Sequence, residues 1–156
     1  MTDFAKARLL ALVVPSALML GALGSQYIGG LHPCEMCYWQ RWPHDAAIVL
    51  ALFAFGTRVN KASHVLVALA ALAIMVSGGI GVFHAGVEYG WWEGITTCST
   101  TAAGVSLEDI MRAPVVRCDV PQWTLLGISL AGFNVIISLG AGAVILGLLR
   151  RAGRTA

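Results

Sequence analysis

Three stretches of this chain hold no formal charge, and each is long enough to cross a lipid bilayer. Residues 9 to 34, 62 to 87 and 120 to 149 contain no Asp, Glu, Lys or Arg. Roughly 20 apolar residues in a helix cover the ~30 Å hydrocarbon layer. The spans fall near Leu9–Gly30, Val65–Phe83 and Leu125–Leu149. Composition agrees: 58% of the 156 residues are hydrophobic and 12% charged, against about 25% charged in soluble domains. So few charges cannot cover a water-soluble globule, whereas lipid can cover apolar faces. The net charge of +2 and the lack of a basic run argue against nucleic acid. With no repeat and no low-complexity tract, the chain reads as one membrane domain over residues 1–156.

A fourth span is less obvious. Residues 46 to 57 are uncharged but too few to cross. Extending that helix upstream, from about Cys34 to Phe55, gives a full span and places Arg41 and Asp45 near its outer end. Charge asymmetry favours this choice. With four spans, Lys6, Arg8, Arg58, Lys61, Arg150, Arg151 and Arg154 share one side, seven of the ten basic residues. The positive-inside rule then puts both termini in the cytoplasm. The first span also has a basic start and a small-residue site at Ala22-Leu23-Gly24, as a signal peptide would. Its apolar run is longer than a signal core, so we read it as a retained span.

Two segments then face outward, around Gly29–Trp42 and from Val87 to Trp123. All five tryptophans fall at these outer boundaries, where an aromatic belt is expected. In the longer segment, Ser106 is suited to cap a short helix, the acids Glu108 and Asp109 fit its first turn, and Pro114 ends it. This reads as a short interfacial helix that anchors the loop. The expected fold is thus an all-α integral membrane protein: a four-transmembrane-helix bundle with two extracytoplasmic cysteine-bearing loops and a short interfacial helix.

All four cysteines lie in those outer segments, where an oxidising compartment allows disulfides to persist. Cys34 and Cys37 form Cys-Glu-Met-Cys after Pro33. At the start of a helix, unpaired N–H groups and the helix dipole favour a thiolate. Arg41 follows Cys37 by four residues and Cys34 by seven, which puts all three on one helical face. Counted up from Phe55, Arg41 sits about 21 Å along the helix. An arginine at that depth is a functional candidate. A redox pair beside a cation at membrane depth calls for an electron acceptor soluble in lipid, and a quinone fits. Its carbonyl oxygens can accept from Arg41. The sequence carries no flavin, nicotinamide or c-type haem motif.

Cys98 and Cys118 lie in the long loop, either as a structural staple or as a mobile exchange pair. Zinc ligation would favour two close pairs, and only one pair is close, so no metal site is expected. His32, His44 and His84 read as polar boundary residues. Pro43 frees one carbonyl in the second helix. The Ser77-Gly78-Gly79-Ile80-Gly81 run reads as a close-packing surface.

The run Pro33-Cys34-Glu35-Met36-Cys37-Tyr38-Trp39-Gln40-Arg41, the later pair Cys98 and Cys118, and Pro121-Gln122-Trp123 opening the fourth span together resemble the disulfide bond formation protein B family, DsbB. The resemblance implies a membrane thiol:quinone oxidoreductase of the bacterial inner membrane, with its cysteine loops in the periplasm. Its partner would be a soluble DsbA-like thiol oxidase, which is already strongly oxidising at about −120 mV. Its cofactor would be ubiquinone or menaquinone. By the same resemblance, the partner attacks a Cys98–Cys118 bond at Cys98, and Cys118 exchanges with Cys34. Cys37 then becomes the thiolate beside the quinone, and Arg41 orients the ring. The stretch from Cys98 to Cys118 is shorter than in some members, which leaves little slack for a shuttling loop.

Two other readings use the same residues. Vitamin K epoxide reductase-like enzymes share four helices, a quinone and four cysteines, but their loop pair precedes the C-x-x-C in the chain. A non-catalytic membrane scaffold with two static disulfides leaves the placement of Arg41 unexplained.

Overall fold

Each of the four long helices begins with a polar side chain that caps a free N–H of its first turn. The computed structural model describes residues 1–96, 99–100 and 115–154. Helix α1 covers Asp3–Tyr27, and Thr2 accepts from the Ala5 N–H. Helix α2 covers Glu35–Gly56, capped by Cys34. Helix α3 covers Lys61–Glu88, capped by Asn60. Helix α4 covers Leu130–Ala152, capped by Ser129. Such caps satisfy donors that the first turn leaves open. Two short antiparallel pairs complete the described structure. Strand β1 (Ser99–Thr100) pairs with β2 (Val115–Val116), and β3 (Thr124–Leu125) with β4 (Ile128–Ser129).

Helices α1, α3 and α4 are long and apolar enough to cross a membrane. Helix α2 matches them in length but carries Glu35, Arg41 and Asp45. The four form a bundle in which α1 and α3 each pack against both α2 and α4. The chain is therefore a mostly helical, multi-pass membrane protein. The short interfacial helix expected near Ser106–Arg112 lies outside the described residues.

The fourth helix starts later than the apolar pattern indicates. A span beginning at Leu125 is replaced by a hairpin followed by a helix from Leu130. Leu126 has φ 53° and Gly127 φ 79°. Two consecutive positive φ values make a tight hairpin turn and exclude a right-handed helix there. Pro121-Gln122-Trp123 therefore leads into the hairpin, not directly into the helix.

The bundle buries mostly small residues and leaves many large apolar ones exposed. Ala7, Ala11, Ala47, Ala51, Ala54, Ala70 and Ala71 are buried, while Leu20, Leu52, Phe53 and Val76 are exposed. Lipid supplies no hydrophobic drive between helices, so close approach of backbones must do so. At the basic end, the Arg8 guanidinium lies 4.3 Å from the Phe55 ring centroid, and Phe4 stacks on His64. At the other end, Trp92 packs against Gly86 and donates its indole N–H to the Phe83 carbonyl at 2.9 Å. Trp92 is thus tied to α3 specifically, beyond a general belt role.

The glycine run on α3 has two sides. A Cβ on Gly78 would meet the Leu139 side chain at 2.9 Å, and one on Gly81 would meet Val135 at 3.1 Å. Gly79 has nothing within 4 Å. Gly78→Leu should therefore destabilise the bundle by about 1–3 kcal/mol through overpacking. Gly79→Leu should not destabilise it. Thermal unfolding of the two variants in detergent checks this, and equal midpoints would contradict it.

Candidate redox site

The N-terminus of α2 gathers three sulfurs and a histidine. Cys34 is the N-cap, with extended backbone at φ −77° and ψ 174°, and its Sγ accepts from the Cys37 N–H at 3.3 Å. The two sulfurs of this pair lie 2.9 Å apart. Pro33 and Cys34 are buried, so the helix opens inside the protein and not in solvent. Cys34, Met36, Val87, Val116 and Cys118 form one small core cluster. Cys34 Sγ, Cys118 Sγ and a His84 ring nitrogen all fall within 4.8 Å of one another.

Cys118 occupies the anion-favouring seat at this helix start. A hydrogen bond from the Cys34 thiol, with help from the backbone N–H groups of Met36 and Glu35, holds Cys118 down at about 5 against the opposing effect of burial. In the reduced protein the negative charge belongs on Cys118.

Behind the sulfurs, a row of side-chain hydrogen bonds crosses the bundle. The Gln40 amide donates to the Met36 carbonyl at 3.2 Å and contacts His84 Nδ1 at 2.8 Å. Its oxygen accepts from Asn134 Nδ2 at 2.8 Å. Because the Gln40 nitrogen is the donor, His84 Nδ1 accepts, and the ring proton sits on Nε2. That Nε2 faces Cys34 Sγ at 3.5 Å and Glu88 at 3.7 Å. Glu88 also accepts from the Ser129 hydroxyl. Deeper in the bundle, His44 Nε2 contacts Ser77 Oγ at 2.9 Å and Asn134 Oδ1 at 3.0 Å. His44 Nδ1 is buried and has no hydrogen-bond partner among the described residues.

A cavity of about 260 Å³ opens beside this row. Cys34, Cys37, Arg41, His44, His84 and Asn134 all reach it; apolar residues of α1 and α4 form part of the remaining wall, and Gln40, Glu88, Arg117 and Gln122 add polar groups to it. Arg41 donates to Gln26 Oε1 at 2.6 Å and to the Ala22 carbonyl at 3.3 Å, which ties α2 to α1. Its guanidinium lies 5.3 Å from the Tyr38 ring centroid.

Residues 5–148 match the family described as disulfide bond formation protein DsbB. The chain belongs to the DsbB family. A protein named disulfide bond formation protein B from Acidovorax sp. is 32% identical across 99% of this chain and 93% of its own length. Another of that name, from Polaromonas sp., is 30% identical across 94% of this chain and 92% of its own. An uncharacterized protein of Rickettsia prowazekii is 27% identical across 83% of this chain. No solved structure matches. As a DsbB-type protein the chain is a membrane disulfide oxidoreductase that serves disulfide bond formation.

Four of the five residues singled out from sequence meet at one place. Cys34, Cys37 and Arg41 line the cavity, and Cys118 abuts Cys34. Cys98 lies outside the described residues. Sequence reading missed His44 and His84, taken above as boundary residues; both are 3% exposed inside the bundle. It also missed Gln40 and Asn134. One signal was available: Cys37, Gln40, Arg41 and His44 follow helical spacing on a single face of α2. Glu88, four residues after His84, gives a similar signal on α3.

The seat of Cys118 has a pH signature. A depressed thiol is charged above its folded value and protonated below it. Its contribution to the reduced fold is complete above the ordinary value of 9.0 and is lost as pH falls through about 5. The reduced protein should show an ultraviolet thiolate absorbance step with its midpoint near pH 5. Cys118→Ser should remove that step. A wild type that shows only steps close to 9.0 would contradict the assignment.

Proposed function

We propose that this chain is a thiol:quinone oxidoreductase of the bacterial inner membrane, built as a single domain over residues 1–156 with four spans. Both termini face the cytoplasm, and the cysteine end faces the periplasm. It reoxidises a soluble DsbA-like partner and passes the electron pair to ubiquinone or menaquinone. The observation that carries this reading is the cavity shared by Cys34, Cys37 and Arg41 among apolar helices. Two further facts support the topology. At 22 residues, α2 rises about 33 Å, and it packs between two apolar spans. The seven basic residues lie at the end away from the cysteines.

The cavity fits a quinone headgroup. It is slightly below the size range of pockets for whole drug-like ligands, suited to a ring and not to a long tail. Its wall is mainly apolar, with cations at Arg41 and Arg117, and it includes His44, whose Nδ1 is buried with no hydrogen-bond partner among the described residues. A quinone bound there supplies an acceptor for two electrons and two protons. The chain's own residues do the rest. The partner's thiolate attacks Cys98 of a Cys98–Cys118 bond and releases Cys118 as a thiolate. Cys118, already favoured as an anion, attacks Cys34 of a Cys34–Cys37 bond. That bond breaks, and Cys37 leaves as a thiolate on the cavity side. Arg41 has five N–H donors, enough to hold α1 and also donate to a ring oxygen. His84 Nε2–H faces Cys34, where a proton is gained or lost.

The test mixes purified protein with a reduced DsbA-like partner and a soluble quinone and follows quinone absorbance. Bleaching that requires all four cysteines is expected with a ubiquinone or a menaquinone analogue. No bleaching with either would sink the reading and favour a static scaffold. Arg41→Ala should raise the quinone KM at least about tenfold, the scale of a hydrogen bond to a charged group. Both cysteine pairs should remain oxidisable in that variant. Unchanged kinetics would remove Arg41 from the site.

A further inference from the structure

His44 lies one helical turn below Arg41 on the cavity side of α2, and no motif residue accounts for it. Its tautomer follows from its neighbours. Ser77 Oγ donates to the Gln40 carbonyl at 2.7 Å, so it meets His44 Nε2 as an acceptor. Asn134 Nδ2 donates to the Ser77 carbonyl, which fixes the amide and leaves Asn134 Oδ1 as an acceptor too. Ser138 Oγ donates to that same oxygen at 2.7 Å. Every close partner of Nε2 therefore accepts, and Nε2 must carry the ring proton. Neutral His44 then presents Nδ1 as a bare lone pair. That atom is buried, unpartnered, and belongs to a residue that lines the cavity.

We infer that His44 is a binding residue that tells the reduced ring from the oxidised one, with Nδ1 accepting a hydrogen bond from a hydroquinone hydroxyl. The inference rests on the quinone reading above. A quinone ring offers only acceptors at its two oxygens, and a carbonyl facing Nδ1 would set two lone pairs against each other. A hydroquinone offers an O–H, which satisfies an acceptor that is costly to leave unmade in a low-dielectric interior. The network behind His44 holds this tautomer, since moving the proton to Nδ1 would leave Nε2 facing only acceptors. The cavity thus favours the product of the electron transfer, while Arg41 can donate to either form.

The test is equilibrium binding to the purified full-length protein in detergent. The probes are a short-chain ubiquinone analogue and its hydroquinone, the latter kept reduced without oxygen. His44→Gln keeps an N–H near Ser77 and Asn134 but lacks the Nδ1 acceptor. It should bind the hydroquinone about tenfold more weakly, the order expected for a buried acceptor losing its donor, with quinone affinity unchanged or raised. Equal weakening of both forms, or none, overturns the inference and leaves the quinone reading standing. Wild type that binds neither form overturns both. If His44→Gln does not fold, nitrogen NMR of histidine-labelled wild type answers instead. The His44 Nδ1 signal should shift with hydroquinone and not with quinone, and an unmoved signal is a refutation.

Discussion

The Gln40 side chain holds three helices together through one amide. Its nitrogen reaches His84 on α3, and its oxygen takes a bond from Asn134 on α4. Inside a bilayer no water would replace these partners, so each polar atom must be satisfied within the protein. This requirement organises the upper half of the bundle. His44, Ser77, Asn134 and Ser138 are all buried or partly buried, and each is bonded to another member of the group. Among the described residues, the lower half has a smaller polar set, with Arg8 and Ser63 donating to the Ala54 carbonyl, and closes mainly on alanines. One protein thus uses two packing strategies, polar satisfaction where the chemistry is and small-residue contact elsewhere.

The helix start at Cys34 serves several groups at once. Cys34 caps the helix with its sulfur, while the first free N–H groups turn to Cys118. The charge that the helix dipole favours is therefore placed on the incoming sulfur. That arrangement readies Cys118 as the attacking group and Cys34 as the sulfur attacked. It also answers the short stretch between Cys98 and Cys118. With Cys118 already beside Cys34, little travel is needed for exchange.

Much of this was legible in the sequence because membrane helices declare themselves by length and charge. The three uncharged stretches became α1, α3 and α4, and helical spacing put Cys37 and Arg41 on one face. The hairpin ahead of α4 was hidden because Leu125–Ser129 is as apolar as the span it precedes. The positive φ values at Leu126 and Gly127 separate the two. The buried histidines were hidden for another reason. Apart from Glu88, their partners in the row are 33 to 90 residues away on other helices, and periodicity along one helix does not say which neighbour it will meet. The seat of Cys118 depends likewise on how the chain folds back over α2.

The tie between Trp92 and Gly86 has a consequence for how such chains can vary. Trp92 fixes the chain where it leaves α3, and Gln122, donating to the His32 carbonyl, fixes it before α4. The connecting segment, which carries Cys118, is thereby pinned at both feet. Lengthening a tether of this kind adds only closure entropy, about 0.6 kcal/mol for each doubling. Insertions in that segment away from Cys118 can alter which surface meets a partner while the four helices keep their geometry.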